Sequence, residues 1–71
     1  MRLSRHAAQR LSERGIALED VEAVCKRPEG DPLPGSSSGS LVIVGTVLAG
    51  RLKVVLSAAD PNFVISAYWE V

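Results

Sequence analysis

His6, Arg10 and Arg14 stand four residues apart in a segment otherwise suited to helix. At 100° per residue, Arg10 and Arg14 each fall about 20° from Leu3, and His6 lies about 40° beyond Arg10. One imidazole and two guanidiniums therefore form a stripe beside an apolar one. Two readings are open. The arginine stems can cover apolar surface while their heads stay in water, or the heads can point into a groove between helix and sheet. Charge adds to the second reading. Residues 1–14 carry four arginines against Glu13, a local +3, although the whole chain sums to zero. A local basic patch can meet phosphate, but zero net charge gives no long-range steering. The other polar side chains of interest, Lys53, Ser66 and Tyr68, lie near the C-terminus. Cys25 is the one cysteine. It reads as a buried small hydrophobe rather than a nucleophile, and it excludes both an internal disulfide and a cysteine-rich zinc site.

Those side chains need elements to hold them. Residues 3–14 read as a helix with the apolar stripe Leu3, Ala7 and Leu11, capped by Gly15. Residues 18–27 read as a second helix with Leu18, Val21, Val24 and Cys25 on its inner face, ended by Pro28. Ala17 leaves its start without a side-chain cap. Residues 28–40 are rich in Pro, Gly and Ser and read as a loop, mobile in its second half. Their glycines lack the spacing of a phosphate-binding loop.

Three strands are expected after the loop, over about 41–48, 51–58 and 63–70. Leu52, Val54 and Leu56 alternate with Arg51, Lys53, Val55 and Ser57, the period of a half-buried strand. Leu48-Ala49-Gly50 suits a three-residue hairpin loop, and Asp60-Pro61-Asn62-Phe63 a type I turn. That register pairs Thr46 with Leu52, Val44 with Val54 and Val42 with Leu56. It also pairs Leu56 with Ala67, Val54 with Trp69 and Lys53 with Glu70. One face then carries Val42, Val44, Leu52, Val54, Leu56, Ile65, Ala67 and Trp69. The other carries Lys53, Ser57, Ser66 and Tyr68 among apolar neighbours. The expected fold is a single α+β domain over 1–71, with two N-terminal helices packed on one face of a three-stranded antiparallel meander. The strand 41–48 would be an edge, apolar on both sides, and would pair with a partner protein or a second copy of the chain. No signal peptide is visible, so a cytoplasmic location is expected. The apolar run 41–48 falls far short of the ~20 residues that span a bilayer.

This element order resembles the small bacterial RelE/ParE-like toxins and their relatives of the barnase, EndoU and colicin type ribonuclease fold. A closer resemblance is to an uncharacterised bacterial family of that architecture. Its opening resembles His6-Ala7, Arg10, Glu13-Arg14-Gly15-Ile16 and Glu19-Asp20-Val21, and its closing strand resembles Ser66-Ala67-Tyr68. The resemblance implies a domain acting on RNA or the ribosome, in some members as a metal-independent endoribonuclease without cofactor, with an antitoxin as partner. Such cleavage needs a base for the 2′-hydroxyl proton, an acid for the leaving oxygen and cations for the phosphorane. It implies His6 as the proton-transfer group, Arg10 and Arg14 on phosphate, Tyr68 as base-stacker or proton donor, and Lys53 and Ser66 as further substrate contacts. Glu70 opposite Lys53 would neutralise it. His6 and Tyr68 converge only where the first helix reaches around a sheet edge. The alternative is a non-catalytic interaction module pairing through strand 41–48, with Arg10 and Arg14 bound to backbone carbonyls or to Glu70.

Overall fold

The computed structural model describes residues 1–70. Five strands and two helices occur in the order β1 (Arg2–Leu3), α1 (Arg5–Arg14), α2 (Leu18–Lys26), β2 (Glu29–Pro34), β3 (Ser40–Val47), β4 (Gly50–Ser57) and β5 (Phe63–Trp69). The sheet order is β1-β5-β4-β3-β2, with β1 parallel to β5 and the other pairs antiparallel. The expected three-stranded antiparallel meander is therefore corrected to a five-stranded mixed sheet.

The helices form for local reasons. The Ser4 hydroxyl caps α1 by accepting from the Ala7 amide at 2.9 Å. Gly15, at φ 63°, ends α1 in the left-handed conformation that a residue with Cβ adopts at a cost. As expected, Ala17 gives α2 no side-chain cap, and Glu19 and Asp20 in its first turn suit the helix dipole. Ala7 and Leu11 from α1 and Val21 and Val24 from α2 are buried against one sheet face. Leu52, Val54, Leu56 and Ala67 meet them from β4 and β5.

The register of β3 differs from expectation by one residue. Val47 pairs with Gly50 across a two-residue turn, so Ile43 faces Val54 and Val42 faces Val55. A slip of one exchanges the faces of the whole strand. Ile43 and Gly45 look toward the helices, and Val42 and Val44 lie on the open face. Gly45 shows why. A Cβ there would come within 2.8 Å of a Val24 methyl, so only glycine lets α2 sit this close to β3. Between β4 and β5 the faces hold but the pairs shift by two: Val54 meets Ala67, and Lys53 meets Tyr68. A bulge opposite Val55 and Leu56 inserts Ile65. Val64 is fully buried in consequence, and Ile65 lies on the open face.

The segment read as loop supplies β2, with Glu29 beside Val44 and Leu33 beside Val42. Its prolines are tolerated because an edge strand needs only one side of its backbone paired. With β2 on one side and β4 on the other, β3 is interior. The partner expected at strand 41–48 has no open edge to join there. The residues expected to be a mobile tail of the loop instead close the β2–β3 hairpin. Ser40 is buried, and its hydroxyl donates to the Ser37 carbonyl at 2.6 Å.

Candidate functional site

The outer edge of β5 lies between α1, which carries one set of polar side chains, and the open face, which carries the other. β1 pairs only with Phe63 and Val64, so among the described residues no strand lies beyond Ser66 to Trp69. The Glu70 amide donates to the Arg51 carbonyl at 2.9 Å. In an antiparallel ladder that alternation turns the backbone groups of Ala67 outward, away from β4. α1 covers this outward edge. The Arg14 guanidinium donates to the Ala67 carbonyl at 2.7 Å, and the Ser4 hydroxyl donates to the Ile65 carbonyl at 3.1 Å. In return the Trp69 indole N–H donates to the Arg14 carbonyl at 3.0 Å. An orphan carbonyl on an edge is thus satisfied by a cation.

Because Arg14 lies on the flank of α1 that meets the edge, helical geometry carries Arg10 and His6 along that same flank. Arg10 is half-buried, and Arg14 and His6 are exposed. Arg10 pairs with Glu13 at 2.6 Å. That bond, joined by one from Gln9, holds the Glu13 carboxyl below its ordinary value. His6 takes part in none of the side-chain hydrogen bonds of the described residues.

On the open face, Lys53 and Tyr68 are cross-strand neighbours. The ammonium lies 6.0 Å from the centre of the phenol ring, within the range of a cation–π contact. The expected neutralisation of Lys53 by Glu70 is corrected by the same shift of two. Glu70 pairs with Arg51, which also holds Glu29 at 2.8 Å. Thr46 donates to Glu29 at 2.6 Å, and this bond, with Arg51 beside it, holds the Glu29 carboxyl below its ordinary value. Glu70 chiefly, then Glu29, pushes the Arg51 guanidinium up. Among the described residues, Lys53 has no carboxylate partner. Ser66, opposite Val55, follows Tyr68 along the same face.

The structure therefore brings Lys53 and Tyr68 together with Ser66 nearby, and lines up His6, Arg10 and Arg14 on α1. The two groups flank β5 from opposite sides. The sequence reading missed the wall that the β2–β3 hairpin adds to the open face. Its run of serines closed by Gly39 and Ser40 was the available signal.

Cys25 is half-buried, and burial pushes its thiol up, against a nucleophilic role. Among the described residues no three His, Cys, Asp or Glu side chains stand close enough to hold a metal ion. Among the described residues no helix is long and apolar enough to cross a membrane.

Neither curated proteins nor solved structures gave a match to this chain. Residues 3–69 match a family model described as a domain of unknown function, DUF4258. That description assigns no activity, so the likeness to RelE/ParE-like toxins remains a resemblance. The chain belongs to the DUF4258 family.

Proposed function

We propose that this chain is an RNA-cleaving domain of the RelE/ParE-like kind, with its site at the outer edge of β5. The observation that carries the reading is the bond from Arg14 to the Ala67 carbonyl. It sets the basic flank of α1 against the strand that carries Ser66 and Tyr68. Phosphate bound at this edge would meet cations from one side and hydroxyls from the other.

The chemistry follows from the groups present. His6 takes the proton of a 2′-hydroxyl, whose oxygen attacks the adjacent phosphorus. The 5′-oxygen leaves with a proton from Tyr68, and a 2′,3′-cyclic phosphate remains. Arg10 exchanges Glu13 for the phosphate oxygens and stabilises the charge that builds on them. Arg14 positions the helix, and its guanidinium adds field at the same edge.

The test is cleavage of a defined single-stranded RNA by the purified chain, with cyclic phosphate ends as the readout. His6→Ala and Tyr68→Phe should each slow cleavage by roughly 10²-fold or more, with circular dichroism unchanged. No cleavage by the wild-type chain would sink the reading.

A second reading, a non-catalytic interaction module, is favoured by one observation: Arg14 and Arg10 already have partners within the chain. It predicts a bound partner protein or a dimer in solution, and no cleavage. Strand 41–48 would not be the contact, since it is interior.

A further inference from the structure

The open face holds a groove of about 320 Å³ between the β2–β3 hairpin and the strands beside it. Val42, Val55 and Ile65 line it with apolar surface, and Lys53 and Tyr68 also face into it. Ser36, Ser37 and Ser38 form the wall. This wall is built rather than incidental. The Ser40 amide and hydroxyl both donate to the Ser37 carbonyl, at 3.2 Å and 2.6 Å. Gly35 donates to the Ser40 carbonyl at 3.0 Å, and a Cβ on Gly35 would collide with the Ser40 hydroxyl.

The charge of the groove is one-sided. Lys53 is its cation, and among the described residues no carboxylate lines it. Glu29 and Glu70 are both engaged by Arg51. An ammonium beside an aromatic ring and apolar side chains, with hydroxyls along one wall, suits a ligand that is flat at one end and anionic at the other. Its volume lies near the lower limit of the roughly 300–1,000 Å³ found for small-ligand sites. That is room for one nucleotide and not for a stacked pair.

We infer that this groove takes a single unpaired nucleotide of an RNA chain, with the base against Val42, Val55 and Tyr68 and the phosphate on Lys53. The inference rests on the nuclease reading for its choice of RNA, and it deepens that reading by making the substrate single-stranded. A base still paired in a duplex does not present its face to such a wall. Aromatic and apolar contacts tolerate any base, so the groove selects for an unpaired state more than for a sequence.

The experiment is an NMR titration of the full chain with adenosine 5′-monophosphate and, separately, with adenosine. The monophosphate should shift the resonances of Val42, Val55 and Tyr68, and adenosine should bind roughly tenfold more weakly. Lys53→Gln should bring the monophosphate down to the level of adenosine, whereas Lys26→Gln, on α2 and outside the groove, should leave its binding there unchanged. Shifts confined to other parts of the chain, or equal binding of both ligands to the wild type, would overturn the inference. The two proposals fail separately. RNA cleavage without groove binding leaves the nuclease reading and removes this one. Groove binding without cleavage does the reverse. Tighter binding of 2′-deoxyadenosine 5′-monophosphate than of the ribonucleotide would overturn the assignment to RNA.

Discussion

Trp69 holds Arg14 from β5: its indole N–H donates to the Arg14 carbonyl, while the Arg14 guanidinium donates to the Ala67 carbonyl two residues before Trp69. The C-terminus of α1 is thereby fixed to the free edge of β5. The proposed cleavage site depends on that attachment, because it decides which flank of α1 meets which strand.

Arg14→Ala should cost about 1–3 kcal/mol of folding stability, the range for a hydrogen bond to a charged donor and its abandoned acceptor. Arg14→Lys should recover part of that, since an ammonium can reach one carbonyl but lacks the planar fork. Urea denaturation measures both. An Arg14→Ala variant as stable as wild type would show that the bond does not hold the helix.

Gly45→Ala should destabilise by about 1–3 kcal/mol, as overpacking does in a well-filled core. The added methyl would meet Val24, itself almost fully buried. Adding Val24→Ala should cost less in the Gly45→Ala background than alone, because the two positions share one space. Strict additivity in thermal denaturation would contradict the contact.

The side assignment of β3 is tested by a pair of variants. Ile43→Asp puts a charge in the core and should prevent folding, whereas Val42→Asp, on the open face, should leave a folded chain. Circular dichroism distinguishes them. The reverse outcome would restore the register in which Val42 faces Leu56.

These residues also show what the sequence reveals and what it hides. Alternation in β4 was plain because Leu52, Val54 and Leu56 alternate with Arg51, Lys53 and Ser57, with Val55 as the one apolar residue among the latter. β3 is apolar at nearly every position, so its own pattern could not choose a face, and the choice fell to the turn. The turn has two residues instead of three, and the face followed it. The reason lies outside the strand, in the close approach of Val24 to Gly45. β2 was hidden because its prolines and glycine argue against a strand, and only its place at the edge makes them acceptable. β1 is two residues long and carries no pattern at all. Of the site, the stripe His6, Arg10 and Arg14 was legible from spacing alone. Lys53 beside Tyr68 was not, because that pair depends on the β4–β5 register.

Acid should weaken the fold partly through Glu29. The Thr46 hydroxyl, then Arg51, holds its carboxyl below the ordinary value in the folded chain. A depressed folded value means the stabilisation is complete above the unfolded value of about 4.5 and is lost as pH falls through the folded one. Glu13 acts in the same direction. Thr46→Val should therefore reduce the loss of stability between neutral pH and the acid range, leaving the shares due to Arg51 beside Glu29 and to Glu13. Identical acid profiles for the two chains in urea denaturation would contradict this role for Thr46.

The most direct test asks whether one RNA strand touches both sides of β5 at once. A short 2′-O-methylated single strand lacks the attacking hydroxyl and stays intact during NMR titration. The imidazole resonances of His6 and the ring resonances of Tyr68 should shift together, with one dissociation constant. Shifts at one residue and none at the other, or two separate constants, would contradict a site that straddles the edge of β5.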